Sequence, residues 1–109
     1  MRCGEIINYC LVRDMRVEEA DICLHAVFHG TVQGVSFRAY AKRFADRGGV
    51  KGWIRNMSDG SVEAVLQGRR DAVYSVLELC RNGNPYARVT HVDASEIACT
   101  DSLQCFTIR

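Results

Sequence analysis

Residues 22–47, ICLHAVFHGTVQGVSFRAYAKRFADR, contain two hydrophobic periodicities separated by a short loop. In the first part apolar residues alternate with residues of the opposite face, which predicts a β-strand over Ile22–His29 that ends at Gly30. In the last part apolar residues recur at i, i+3, i+4, i+7 and i+8, which predicts an amphipathic helix over Phe37–Arg47. A strand, a loop and a helix in this order are the first half of a βαβ unit.

The segment after this helix predicts a β-hairpin. Ser36 is a suitable N-cap for the helix, and Gly48 is a suitable residue to end it. Two β-prone runs, Val50–Met57 and Ser61–Gln67, then flank Ser-Asp-Gly, which is a turn signal. The second half of the chain therefore begins with two strands in succession.

A second helix and two further strands complete the predicted fold. Apolar spacing and a following Asn-Gly predict a helix over Asp71–Arg81. Strands are predicted over 87–94 and 104–108, and the spacing of Val89 and Val92, three residues apart, predicts a β-bulge in the first of them. The order βαββαβ plus a short terminal strand predicts a ferredoxin-like α+β sandwich, with an antiparallel, partly mixed sheet and both helices on one face.

Length and composition exclude several classes of protein. The chain has 109 residues and 12.2 kDa, of which 48% are apolar and 25% charged, with a formal net charge of +1. These values are typical of one globular domain and argue against a disordered chain, a membrane-embedded body or a protein that binds nucleic acid in bulk. We interpret residues 1–20 as an N-terminal extension, with Met15 as an alternative start, and residues 21–109 as the domain.

The cysteines and histidines predict neither disulfides nor a metal site. No C-x-x-C occurs, no cleavable secretory leader opens the chain, and the apolar content suffices for a core without disulfides, so we expect reduced thiols in a cytoplasmic protein. His25 and His29 lie on the predicted first strand, and we expect them to be solvated or hydrogen-bonded strand residues. The six cysteines are Cys3, Cys10, Cys23, Cys80, Cys99 and Cys105.

The loop from Gly30 to Arg38 carries the residue types of an anion site. Gly34 permits backbone conformations that other residues avoid, and the helix that follows presents unpaired N–H groups at its positive end. Arg38, in the first helical turn, has a guanidinium that can bind two oxygens of a phosphoryl group. The residues alone leave a second interpretation open, in which the loop is a tight connection and Arg38 covers the helix surface.

Four segments of the chain together resemble the acylphosphatase family. They occur in the family's order and at family-like separations, and the resemblance covers essentially residues 22–109. These segments are VQGVSFR (32–38), GGVKGWIRNMSDGSVEAVLQG (48–68), GNPYARV (83–89) and FTIR (106–109).

The resemblance implies hydrolysis of an acyl phosphate to a carboxylate and inorganic phosphate, without metal or cofactor. It implies that Arg38 binds the phosphoryl group and that Asn56 orients the attacking water; without it, Asn56 would be interpreted as a turn residue that caps the hairpin. We also expect a small-molecule substrate and a monomer, and the composition and charge lead us to expect neither nucleic acid nor membrane as a partner. The main-chain amides expected to bind the phosphoryl group belong to Gln33, Gly34, Val35, Ser36 and Phe37.

Two other functions remain as alternatives. Ferredoxin-like sheets also bind RNA through exposed aromatic residues, but the predicted outer face of the first strand offers Cys23, His25, Val27 and His29, none of which is a stacking platform of that kind. The chain also resembles the front module of larger carbamoyl-phosphate-processing enzymes. Because the sequence ends at Arg109, we expect the independent hydrolase.

Overall fold

A computed structural model describes residues 21–109, which form five strands and two helices. The predicted N-terminal extension, residues 1–20, lies outside the described residues, as do Cys3 and Cys10. The elements are β1 (Asp21–Thr31), α1 (Phe37–Gly48), β2 (Lys51–Asn56), β3 (Val62–Arg69), α2 (Arg70–Asn82), β4 (Arg88–Ile97) and β5 (Phe106–Ile108).

The strands form one mixed sheet in the order β4-β1-β3-β2-β5. β1 pairs antiparallel with both β3 and β4, and β2 pairs antiparallel with β3. β5 pairs parallel with β2, which makes the sheet mixed. This element order and sheet confirm the predicted ferredoxin-like α+β fold.

Both helices pack against the sheet through one hydrophobic core. α1 contributes Phe37, Ala41 and Ala45, and α2 contributes a stripe of four buried residues from Val73 to Cys80. The predicted inner residues of β1 are Leu24, Ala26 and Phe28, and each is at most 1% exposed. The periodicities of the sequence therefore identify the buried faces correctly.

Strand ends differ from the predictions where bulges and edge positions intervene. Gly30 does not end β1; it lies inside the strand, where the register shifts from His29 opposite His91 to Gly30 opposite Val89. Thr90 of β4 is the extra residue at this step, so the bulge predicted between Val89 and Val92 is confirmed. β4 continues beyond its predicted end to Ile97, and β5 begins only at Phe106.

The ends of α1 also correct two predictions. Ser36 occupies the N-cap position, but its backbone is left-handed and its side chain makes no capping hydrogen bond. A side-chain cap requires an extended backbone at that position, because only then does the hydroxyl reach the N–H groups of the first turn. At the other end Gly48 is still helical, and Gly49, with φ 68°, is the C-cap.

The sheet face opposite the helices is partly covered, which corrects the prediction that Cys23 is exposed there. Cys23 is 1% exposed. Next to it, the side chain of Gln67 donates to the Thr100 oxygen (2.7 Å) and accepts from the Thr100 N–H (3.1 Å). The segment between β4 and β5 is thereby held over this end of the sheet.

Neither helix within residues 21–109 is long and apolar enough to cross a membrane.

Gly52 of β2 is required by the close approach of a neighbouring strand. Its φ is 141°, and a Cβ at this position would overlap the main-chain oxygen of Val65. We therefore predict that Gly52→Ala lowers the free energy of unfolding by about 2–4 kcal/mol, because strain and overpacking add. Denaturant titration measures this change.

Gly60 provides the matched control for that substitution. Its φ is also positive, at 94°, but no atom lies within 4 Å of an added Cβ. Gly60→Ala should therefore show only the backbone cost of about 1 kcal/mol. Equal losses in the two variants would contradict a role for the contact with Val65.

Candidate active site

The loop between β1 and α1 is anchored by apolar side chains. Val32 and Phe37 are 1% and 3% exposed, and Val35 packs against the same core. Gly34 and Ser36 lie exposed beside these anchors, and both have left-handed backbones, with φ 77° and 61°. Glycine adopts this conformation freely, but for Ser36 it costs about 1–2 kcal/mol. Contacts around the loop must therefore hold Ser36 in this shape.

This loop carries a row of main-chain donors that have no acceptor in the described part of the chain. From Gly34 to Arg38, no main-chain N–H donates a hydrogen bond to an acceptor within residues 21–109. Tyr40 N–H, further along α1, donates to the Ser36 oxygen (3.0 Å). Unpaired donors that follow one another through left-handed residues into a helix N-terminus form a concave site for an anion.

The strand order brings three distant segments to the end of the sheet where this loop lies. β1 and β2 both run antiparallel to β3, and β5 runs parallel to β2. The C-terminal ends of these three strands therefore lie at the same end of the sheet. The loop after β1, Asn56 at the end of β2, and Ile108 at the end of β5 meet there.

Arg38 is oriented by the chain that follows β5. Its Nη1 donates to the main-chain oxygen of Arg109 (3.1 Å). The other N–H groups of the guanidinium have no acceptor in the described part of the chain. This leaves part of the planar group available for the bidentate hydrogen bonds that arginine forms with a phosphoryl group.

Asn56 does not cap the hairpin turn that follows it. Met57 N–H donates to the Ser61 oxygen (2.8 Å) across the turn, and the carboxylate of Asp59 accepts from the Ser61 N–H (2.9 Å) and from its hydroxyl. These hydrogen bonds from Ser61 lower the pKa of Asp59. Asp59 therefore performs the capping role, and the exposed Asn56 carboxamide makes no hydrogen bond within residues 21–109.

A cleft of about 190 Å³ joins these groups. None of its lining residues carries a carboxylate or an imidazole. Gln33 and Val35, whose amides were predicted to bind substrate, are not part of its wall. The lining residues are Val32, Gly34, Ser36, Phe37, Arg38, Ala39, Asn56 and Ile108.

Two carboxamide side chains hold the loop through hydrogen bonds to distant main-chain oxygens, and the sequence alone does not predict these bonds. Gln33 Nε2 donates to the main-chain oxygens of Met57 (2.7 Å) and Ser61 (2.9 Å), which ties the loop to the turn after Asn56. Asn84 Nδ2 donates to the Val35 oxygen (3.0 Å) from the loop between α2 and β4. Asn-Pro indicated only a loop there, and no local signal connects residue 84 with residue 35.

The histidines lie on the outer face of the sheet, away from the cleft wall. His25 contacts Glu63 (2.7 Å) and His29 contacts Asp93 (3.2 Å), so both are hydrogen-bonded strand residues as predicted. The hydrogen bonds with His25 and Arg55 lower the pKa of Glu63. Within residues 21–109 no group of three or more His, Cys, Asp or Glu side chains is placed to hold a metal ion.

The cysteines of the described chain are free thiols. Cys23 and Cys80 are buried, whereas Cys99 and Cys105 are exposed. Burial raises the pKa of the Cys80 thiol to about 12, which keeps it protonated and unreactive at neutral pH. None of these four thiols lines the cleft.

The sequence of this chain is similar to those of known acylphosphatases. A sequence model of the acylphosphatase family matches residues 24–108. The acylphosphatase of Pyrobaculum aerophilum is 57% identical over 70 residues, which cover 63% of this chain and 74% of the relative. The acylphosphatase of Methylococcus capsulatus is 44% identical over 85 residues, which cover 78% and 92% of the two chains.

A solved structure shows that the similarity extends to the fold. The acylphosphatase from Coxiella burnetii matches this structure with a TM-score of 0.78 at 36% sequence identity, covering 84% of this chain and 96% of that chain. The family match begins within β1 and includes every later element through β5. This chain therefore belongs to the acylphosphatase family.

Proposed function

We propose that the cleft binds the phosphoryl group of an acyl phosphate, held by the main-chain N–H groups of Gly34, Ser36, Phe37 and Arg38 and by the Arg38 guanidinium. The observation that carries this proposal is that these residues, whose N–H groups are unpaired within residues 21–109, line one cleft together with Asn56. Donors that are fixed before the substrate arrives stabilise the charge on the phosphoryl oxygens without reorganisation cost. Family membership supports the same reaction.

In the proposed reaction a water molecule attacks phosphorus and the bond between phosphorus and the acyl oxygen breaks. The products are a carboxylate and inorganic phosphate, and the proton of the water is released to solvent. Phosphoryl transfer passes through a loose transition state with charge on the equatorial oxygens, which the amides and Arg38 would stabilise. Asn56 has an acceptor oxygen and donor N–H groups, so it can hold the water in line without removing its proton.

The chemistry of the cleft wall favours an acyl phosphate over a phosphate monoester. A carboxylate leaves without protonation because its conjugate acid has a low pKa, whereas an alkoxide leaving group needs an acid. No side chain of the cleft wall is a carboxylic acid or an imidazole. The remainder of the wall, from Val32, Phe37, Ala39 and Ile108, is apolar and suits the carbon side of the substrate.

We predict that the purified protein hydrolyses a small aromatic acyl phosphate and leaves an ordinary alkyl phosphate monoester intact. Release of inorganic phosphate, measured with both compounds at equal concentration, tests this. We also propose that neither metal nor cofactor takes part, so a chelator should leave the rate unchanged. Cleavage of the monoester at a comparable rate, or inhibition by the chelator, would contradict the proposed mechanism.

We further propose that residues 21–109 act as a monomeric cytoplasmic domain on a small molecule, without nucleic acid or membrane as a partner. Each group assigned to the proposed mechanism belongs to this one chain, which supports the monomer. The free thiols among the described residues are compatible with a reducing compartment. Sedimentation of the active enzyme tests whether it is a monomer, and titration with single-stranded RNA tests whether it binds nucleic acid.

A further inference from the structure

The peptide bond between Val35 and Ser36 lies between Asn84 and the cleft. Asn84 is 6% exposed, and its Nδ2 donates to the Val35 oxygen (3.0 Å). Its Oδ1 accepts from the Tyr86 N–H (2.9 Å), and its main-chain oxygen accepts from the Ala87 N–H (3.2 Å). Hydrogen bonds from the loop before β4 therefore hold Asn84 in place, and its side chain donates to the Val35–Ser36 peptide.

Fixing the carbonyl of a trans peptide also fixes the direction of its N–H, because the two bonds point in opposite directions. The Ser36 N–H therefore points away from Asn84. Ser36 lines the cleft, whereas Val35 and Asn84 do not. The contact with Asn84 thus directs the Ser36 N–H to the cleft side of the loop.

The same contact helps explain how a serine keeps a left-handed backbone. Ser36 has φ 61°, and its side chain makes no capping hydrogen bond that would offset the cost of this conformation. A strained residue persists only where surrounding contacts outweigh its cost. The buried carboxamide of Asn84, bonded to the adjacent peptide, is such a contact.

We propose that Asn84 is a positioning residue that directs the Ser36 N–H towards the bound phosphoryl group. This inference rests on the proposed function of the cleft. Asn84 does not touch the substrate, and it acts through the Val35–Ser36 peptide. Because the Ser36 N–H would contact the phosphoryl group in both the ground state and the transition state, losing its orientation should weaken binding more than turnover.

Asn84→Asp replaces the donor that faces the Val35 oxygen with an acceptor. Aspartate keeps an oxygen for the Tyr86 N–H and, at neutral pH, lacks the donor for the Val35 oxygen. We expect KM for the acyl phosphate and the inhibition constant of inorganic phosphate to rise together by about 5- to 10-fold, the scale of one hydrogen bond. We expect kcat to stay within about threefold of the wild-type value.

Asn82→Asp is the control for the added charge. Asn82 is exposed near the end of α2 and donates to Glu78 (3.0 Å). This variant should keep the wild-type KM and phosphate inhibition constant. Equal increases in the two variants, or an Asn84→Asp variant that loses kcat or thermal stability at unchanged KM, would overturn the inference.

Phosphate titration of the ¹⁵N-labelled wild-type protein tests the same geometry without relying on a variant. The Ser36 amide proton should shift on saturation with inorganic phosphate, and an unperturbed Ser36 signal would overturn the inference. If the wild-type enzyme does not hydrolyse acyl phosphates, the proposed function fails. Normal hydrolysis with unchanged binding in Asn84→Asp rejects only the role of Asn84.

Discussion

Arg38→Ala should lower kcat/KM for an acyl phosphate at least about 1,000-fold and should abolish competitive inhibition by inorganic phosphate. Arg38 is the cationic side chain in the cleft wall, and its guanidinium is already oriented by the Arg109 main-chain oxygen (3.1 Å). The variant loses both the positive charge and the bidentate geometry. Steady-state kinetics and phosphate inhibition, measured on folded protein, give both quantities.

Arg38→Lys should be nearly as inactive as Arg38→Ala. A lysine ammonium keeps the charge but cannot reproduce two parallel hydrogen bonds from one planar group. Arg47→Ala, in the last turn of the same helix, is the control and should stay within about threefold of wild type, since screening makes an exposed distant charge matter little. Substantial turnover in Arg38→Ala would eliminate the proposed phosphoryl site.

Asn56→Ala should lower kcat about 100-fold or more while leaving the inhibition constant of inorganic phosphate within about threefold of wild type. The proposed role of Asn56 is to aim the water and not to hold the phosphoryl group. The Asn56 carboxamide has no hydrogen-bond partner in the described chain, and Asp59 caps the turn. Removing the Asn56 carboxamide therefore leaves the hydrogen bonds of the hairpin turn intact. Comparing kcat with phosphate inhibition separates the two roles.

Asn82→Ala, outside the cleft, is the control for loss of an exposed carboxamide and should keep the wild-type kcat. If Asn56→Ala lost phosphate affinity at normal stability, Asn56 would be a phosphoryl-binding group and the proposed division between Arg38 and Asn56 would be wrong. If kcat stayed at the wild-type value, another group would have to orient the water.

Most of the fold is predictable because its signals are local. The alternation through Leu24, Ala26 and Phe28 and the helical spacing after Phe37 both mark the faces that are buried. The errors lie at strand ends and helix caps and in the burial of Cys23. Gly30 is predicted to end β1, but the strand continues past it through a β-bulge. Ser36 is a residue type typical of an N-cap, but its backbone is left-handed and its side chain makes no capping hydrogen bond.

The sequence alone places Gly34 in the loop before a helix and Arg38 in the first turn of that helix, because this placement depends on residues only a few positions apart. The role of Asn56 could not be predicted in this way. Its residue type and its position before the Ser-Asp-Gly turn indicate a turn cap, and only the family resemblance implies that it orients the attacking water. Only the folded structure shows that Asp59, and not Asn56, caps the turn.

Periodicity and residue type define strands, helices and a candidate anion loop, since each depends on neighbours along the chain. Which strand ends meet depends on strand order and register, which join residues far apart in the sequence. That order alone brings Asn56 and the end of β5 to the loop, and it alone lets Gln33 bond to the hairpin and Asn84 to Val35. A hydrogen bond across such a distance leaves no periodic signal, so only packing of the whole chain reveals it.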